Sequence, residues 1–244
     1  MKKVLLVTGG GRGIGKSTAI MAGKLNYNVG INYLKDKEAA DETASIIKKK
    51  GGNCISIKGD IANFNDVNNI FDELTKTFGP VNYLVANAGD IPKRKSFFET
   101  EISDLERTIQ VNLIGTIYCV HKFTNLLINQ NLDGSMVLIS SEAARFGGNH
   151  ISTYAATKAA LNTFVVGAAR EVGPFGIRVN AVSPGTIYTE SLENEGENKL
   201  KQIRASIPLG RIGTVNEAAE TIHWLLSDKS SYVSGSMITV SGGR

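Results

Sequence analysis

Short apolar runs alternate with longer amphipathic stretches along the chain. Val4–Thr8, Asn28–Tyr33, Asn53–Lys58, Tyr83–Ala86, Ser135–Ile139, Arg178–Val182 and Met237–Val240 are each four to six residues long and rich in β-branched or aromatic side chains. Runs of that length and composition read as strands buried on both faces. Helical periodicity fills the gaps: Ile14 to about Leu25, Asp36–Lys50, Val67–Phe78, about Ile102 to Leu127, Ser152–Val172 and Val215–Leu226. Gly51-Gly52, Gly79-Pro80 and Gly173-Pro174 close three of these helices, since glycine accepts the left-handed C-terminal turn and proline cannot continue a helix.

Strands alternating with helices of ten or more residues build βαβ units and a parallel sheet. The pattern therefore predicts one α/β domain over residues 1–244: a doubly wound (Rossmann) parallel sheet of seven strands with helices on both faces. No linker or shift in composition divides the chain.

Composition sharpens this in one respect. The 244 residues include 26 glycines, against roughly 17 at the average usage of about 7%. Five prolines and the lack of a three-residue period exclude collagen, and 42% hydrophobic residues with a net charge of +4 exclude disorder. The excess glycines must therefore serve particular backbone positions. Basic residues are scattered apart from Lys48-Lys49-Lys50, at a helix C-terminus, and Lys93-Arg94-Lys95, so nucleic acid is not an expected partner. The apolar run after Lys3 stops at Thr8-Gly9, too short for a signal peptide. No run approaches the length of a membrane span, and a cytoplasmic protein is expected. Cys54 and Cys119 lack metal or redox spacing and read as buried, reduced thiols, while His121, His150 and His223 are too scattered to suggest a metal.

Thr8-Gly9-Gly10-Gly11-Arg12-Gly13-Ile14-Gly15-Lys16-Ser17 joins the first strand to the first helix. Backbone amides at such a helix start form an anion site, and glycines let a pyrophosphate approach. Two readings overlap. Gly10-x4-Gly15-Lys16-Ser17 satisfies the P-loop pattern of nucleotide hydrolases, with Asp60 placed to organise a magnesium ion. Thr8-Gly9-x3-Gly13-x-Gly15 is instead a looser dinucleotide loop. The loop alone does not decide between them.

Tyr154 and Lys158 stand four apart in a helical stretch and share a helix face. An ammonium beside a phenol favours phenolate, so the tyrosine pKa is expected to fall from about 10 towards neutrality. That suits a general acid/base near pH 7. Ser140-Ser141 ends the fifth strand, on the edge where parallel sheets bind ligands, and position alone does not choose between the two hydroxyls.

Taken together, Thr8–Gly15, Asn87-Ala88-Gly89, Asn112, Ser141, Tyr154-x3-Lys158 and Pro184-Gly185 stand in an order and at spacings that resemble the short-chain dehydrogenase/reductase family. The resemblance runs over almost the whole chain. It implies hydride transfer between a nicotinamide and a carbonyl or secondary alcohol, with Tyr154 as proton donor or acceptor and Ser141 orienting the substrate oxygen. It also implies that Lys158 holds the nicotinamide ribose and that Asn112 holds a water in a proton relay through Lys158. Further cofactor contacts implied are Gly9, Gly11, Arg12, Gly13, Ile14 and Gly15 in the loop, Asp60-Ile61 at the adenine, Asn87, Ala88 and Gly89, and Pro184, Gly185, Ile187 and Thr189 at the carboxamide.

The second strand ends at neutral Tyr33, where a free 2′-hydroxyl is usually held by a carboxylate. Arg12 and Lys35 lie where a 2′-phosphate would sit, so NADP(H) is expected over NAD(H). The stretch 188–207, with Glu190, Glu193, Glu195, Glu197, Lys199 and Lys201, is expected to cover the substrate as a lid. Family members of this size and ending include 3-oxoacyl-carrier-protein reductases and sugar or polyol dehydrogenases. An acidic carrier needs a basic patch; the cleft flanks lack one, but Lys93-Arg94-Lys95 would serve. The resemblance further implies a homotetramer paired through Ile102–Leu127 and Ser152–Val172.

Overall fold

A computed structural model describes residues 3–193 and 195–244; Met1, Lys2 and Asn194, which fall in the expected domain and lid, lie outside the described residues. The strands are β1 (Val4–Val7), β2 (Asn28–Tyr33), β3 (Asn53–Lys58), β4 (Tyr83–Ala86), β5 (Gly134–Ile139), β6 (Ile177–Pro184), β7 (Ile187–Tyr188), β8 (Gly213–Thr214) and β9 (Met237–Val240). Seven of them form one sheet in the order β3-β2-β1-β4-β5-β6-β9, every neighbouring pair parallel.

The helices are α1 (Gly13–Lys24), α2 (Lys37–Lys49), α3 (Phe64–Phe78), α4 (Ile102–Ile109), α5 (Thr116–Asn129), α6 (Ala143–Phe146), α7 (Ser152–Val172), α8 (Glu190–Glu193), α9 (Glu197–Ala205) and α10 (Val215–Leu226). They cover both faces because alternate strand residues point to opposite sides. Leu6 and Leu84 pack with Phe71 of α3, Phe123 of α5 and Val165 of α7. Leu5, Val7 and Val85 pack with Ala19 of α1, Ile47 of α2 and Ile222 of α10.

The strand order reverses at β1, between β2 and β4. Loops leave in opposite directions there and open a crevice beyond the carboxyl ends of the strands. The expected long helix is α4 and α5 joined by a π-helical turn, Gln110–Gly115. The two-residue strands β7 and β8 and the four-residue α6 and α8 escape sequence reading because each is too short to show a period. Within 188–207, α9 is anchored by buried Leu200, with Ile207 buried just beyond it. The ion pairs Lys199–Glu195 and Arg204–Glu197 use part of the charge that marks this stretch.

Candidate active site

The glycine loop is fixed from the far side of the crevice. Asn87 Nδ2 donates to the carbonyls of Thr8 and Gly9, 3.0 Å each. The Thr8 hydroxyl accepts the N–H groups of Asn87 and Ala88, also at 3.0 Å. Gly15 is forced by this closeness: a Cβ there would lie 2.5 Å from the Gly9 carbonyl oxygen and 2.6 Å from Asn87 Nδ2. The side chains of Asp36 and Asn63 cap α2 and α3, whereas Arg12 at the start of α1 makes no side-chain cap. The first turn of α1 thus keeps its amides and positive dipole end for an anion.

A cleft of about 480 Å³ lies beside this loop, within the range of small-molecule sites. Gly9, Gly11, Arg12, Lys35, Asp60, Ile61, Asn87, Ala88 and Gly89 line it as expected. Asn32, Leu34, Asp36, Asp90 and Arg107 also line it and were not anticipated. Asp36 had a signal, as a capping residue at a helix start. Arg107 had none, because folding alone brings it across from α4.

Several expected cofactor residues also make contacts within the protein itself. Tyr33 packs on the core beneath α1 and α2, because strand alternation gives the cleft to Asn32 and Leu34 instead. Ile14 packs on the same core, and Gly13 faces Thr189, whose Cγ2 would lie 3.3 Å from an added Cβ. Arg12 forms an ion pair with Asp36. Asp60 is gripped by both Arg107 nitrogens, at 2.8 and 3.2 Å. Burial opposes the charge of Asp60, but the Arg107 guanidinium and the Ala62 N–H outweigh it and hold the carboxyl below its ordinary range. The geometry does not favour the P-loop reading. Lys16 is paired with Glu42 and the Ser17 hydroxyl donates to Asn216, which takes both away from any bound phosphate.

Gly89, on the cleft wall, also lies next to the acid/base group. A Cβ at Gly89 would stand 3.0 Å from Asn112 Oδ1 and 3.9 Å from Lys158 Nζ. Asn112 is fully buried in the π-helical turn. Its amide accepts the Asp90 N–H at 2.8 Å and donates to the Asp90 carbonyl at 2.7 Å. The side chain therefore clamps the Asn87–Asp90 loop from within the π-helical turn.

Tyr154 and Lys158 lie on successive turns of α7, with the ammonium 5.6 Å from the phenol ring centre. Lys158 is 3% exposed and donates to the Ile139 carbonyl at 2.7 Å, and the Ser140 hydroxyl donates to its own carbonyl at 3.3 Å. Burial lowers the Lys158 pKa to about 8. Burial also raises that of Tyr154, while a hydrogen bond from Ser141 pulls it down. The Tyr154 pKa is thus raised and not lowered as expected, and the group that opposes the rise is Ser141, not Lys158. Ser141 Oγ accepts the Ala143 N–H at 3.1 Å, which leaves its proton to donate.

Pro184, Gly185 and Ile187 are set where β6 passes into β7. The Gly185 N–H donates to the Val240 carbonyl at 2.9 Å, and a Cβ there would be 2.7 Å from that of Ser241. Both cysteines are buried as expected, which drives each thiol up to about 12 and leaves them inert. Among the described residues no cluster of side chains is suited to a metal ion, and no helix is long and apolar enough to cross a membrane.

The chain has many relatives. A family profile described as enoyl-(acyl carrier protein) reductase matches residues 9–244. The uncharacterized oxidoreductase YgfF of Escherichia coli is 37% identical over 99% of both chains. An L-rhamnose 1-dehydrogenase (NAD(P)(+)) of Sphingomonas is 35% identical over 99% of this chain and 95% of the relative. The 3-oxoacyl-[acyl-carrier-protein] reductase FabG of Staphylococcus aureus is 35% identical over 100% and 98%. A short-chain dehydrogenase/reductase from Mycobacterium marinum superposes with a TM-score of 0.93 at 28% identity, over 99% of this chain and 94% of that one. The chain belongs to the short-chain dehydrogenase/reductase family, oxidoreductases that act on alcohol and carbonyl groups with nicotinamide cofactors.

Proposed function

We propose that the protein reduces a 3-oxoacyl carbonyl with NADPH, using Tyr154 as the general acid, and oxidises the corresponding secondary alcohol in reverse. The observation that carries this reading is buried Tyr154 one helical turn from buried Lys158, with the ammonium 5.6 Å from the phenol ring centre. A bound nicotinamide supplies the hydride. Tyr154 gives its proton to the substrate oxygen, and Ser141, its lone pair held by Ala143, donates to that same oxygen. Lys158 binds the cofactor ribose, and the Gly9–Gly15 amides hold the pyrophosphate. Metal chemistry has no part in this reading.

NADP(H) is favoured over NAD(H) because β2 ends in Tyr33 and both Arg12 and Lys35 line the adenosine end of the cleft. Asp36 is already engaged by Arg12 and by the Ala39 N–H, 2.9 Å away, so its carboxylate is less open to a ribose hydroxyl. The exposed Lys93-Arg94-Lys95 begins four residues beyond Gly89 and suits an acidic acyl carrier. The likeness to FabG supports the same substrate; the equal likeness to a rhamnose dehydrogenase supports a sugar or polyol as the second reading. Exposed Ile102 and Ile109 on α4 suit burial against another copy, in keeping with a homotetramer.

A panel of 3-oxoacyl thioesters, sugars and polyols, followed by the absorbance of NADPH, tests the reading. Turnover of the thioesters is expected; turnover of the sugars alone would replace the first substrate class by the second, and no turnover would overturn both.

A further inference from the structure

Glu142 follows Ser141 directly, and its side chain is 6% exposed. A carboxylate in such a place is costly unless its oxygens are satisfied. Here Oε1 accepts the hydroxyls of Ser183 on β6, at 2.9 Å, and Thr239 on β9, at 3.2 Å. Oε2 faces Arg145 at 3.3 Å. The Glu142 N–H donates to the Pro184 carbonyl at 3.0 Å. One residue thus ties the carboxyl ends of three neighbouring strands together at the point where Ser141 leaves β5.

The tie is made with hydroxyl partners rather than apolar packing. A side chain of similar volume and no charge would serve packing alone as well or better. What the carboxylate adds is direction: its two hydroxyl donors come from different strands, so its position is fixed by both. The anchor stands between Ser141 and Ala143, whose N–H orients the Ser141 hydroxyl. The Pro184–Gly185 segment is held by the same residue's backbone.

We infer that Glu142 is a positioning residue, which sets the Ser141 hydroxyl against Tyr154 and against the Pro184–Gly185 segment. The inference rests on the acid/base reading above. Displacing a reacting group by about 1 Å is enough to reduce turnover as much as about a hundredfold. Loss of the anchor alone, with Ala143 still orienting Ser141, is expected to be milder.

A double-mutant cycle reads this out. Wild type, E142A, E142Q, S141A and S141A/E142A are compared for kcat, for KM of both substrates and for cofactor affinity by fluorescence titration. In E142A, kcat is expected to fall about tenfold while cofactor affinity stays within about twofold. E142Q, whose amide oxygen still accepts both hydroxyls, is expected to recover most of that loss. In the S141A background, Glu142→Ala is expected to cost less than about twofold more, because Glu142 acts through Ser141. If E142A does not fold, S183A/T239V removes the same bonds from the other side and must show the same loss, again absent with S141A. An unchanged kcat, or an equal loss with and without Ser141, overturns the inference while the wild-type activity stands. A wild type that turns over no carbonyl overturns the acid/base reading and this inference with it.

Discussion

The two ends of the cleft are built by opposite means. Around Tyr154 the polar groups are buried and bonded to backbone: Lys158 to Ile139, Asn112 to Asp90 and Ser140 to Lys158. Around the adenosine end they are charged, exposed in part and bonded to one another: Arg12 with Asp36 and Lys16 with Glu42. Buried hydrogen bonds fix geometry, since an unpaired partner is costly. Exposed ion pairs are worth little and rearrange readily. On the proposed reading, chemistry sits where the fold is rigid and cofactor choice where substitution is cheap.

Gly15 lies under the glycine loop against Gly9 and Asn87, and its substitution should have the largest effect. A Cβ 2.5 Å from the Gly9 carbonyl meets backbone that cannot yield. Gly15→Ala is expected to lower the melting temperature by several degrees and to abolish measurable cofactor binding by calorimetry. A variant with normal binding would show that the loop is not held as rigidly as its contacts require.

The rigid end should respond to pH through Lys158. With its pKa lowered to about 8 by burial, carbonyl reduction is expected to fall as pH rises through about 8. Lys158→Met is expected to lose about a hundredfold in kcat and to remove that break. Stability moves the other way. Between about 8 and the ordinary 10.5 the folded chain binds fewer protons than the unfolded one, so wild-type stability rises with pH across that window. Lys158→Met should therefore be the more heat-stable at pH 7, by a margin that shrinks towards pH 10. A pH–rate profile that keeps its break in the variant would assign it to another group.

At the exposed end, R12A/K35A is expected to reduce the ratio of kcat/KM for NADPH over NADH about tenfold or more, with kcat little changed. Raising the salt concentration should narrow the wild-type preference in the same direction, because screening acts on exposed charges. A preference unaffected by both would move cofactor selection elsewhere.

The smallest effect lies outside the cleft. His223 is buried between α1 and α10, with Nε2 on the Thr18 carbonyl at 2.9 Å and Nδ1 unbonded. Burial lowers its pKa below the ordinary 6.5. Its contribution to stability is present above about 6.5 and is lost as pH falls towards the lowered value. His223→Gln should flatten the decline in melting temperature between pH 7 and 5, and an unchanged slope would contradict this.

The same division explains what was legible in the sequence. The seven main strands and six long helices follow from periodicity, and Tyr154 and Lys158 from spacing on a helix, whereas Ser141 was chosen over Ser140 by the family resemblance. Asp36 and Arg107 reach the cleft only through tertiary folding, and Glu142 acquires its role from two strands that lie 41 and 97 residues away. No local pattern carries that information. Asn112 came from the family resemblance, and its clamp on the Asp90 backbone is visible only in the fold. The tyrosine pKa was argued from one neighbour, whereas burial enters only once the fold is known.

Tyr154→Phe tests the central claim most directly. It removes one oxygen from a side chain that is 9% exposed and leaves the cleft walls in place. Turnover of the best carbonyl with NADPH should fall at least about a thousandfold, while NADPH affinity by fluorescence titration stays within about threefold. A variant that retains more than a tenth of wild-type turnover would contradict proton transfer by Tyr154.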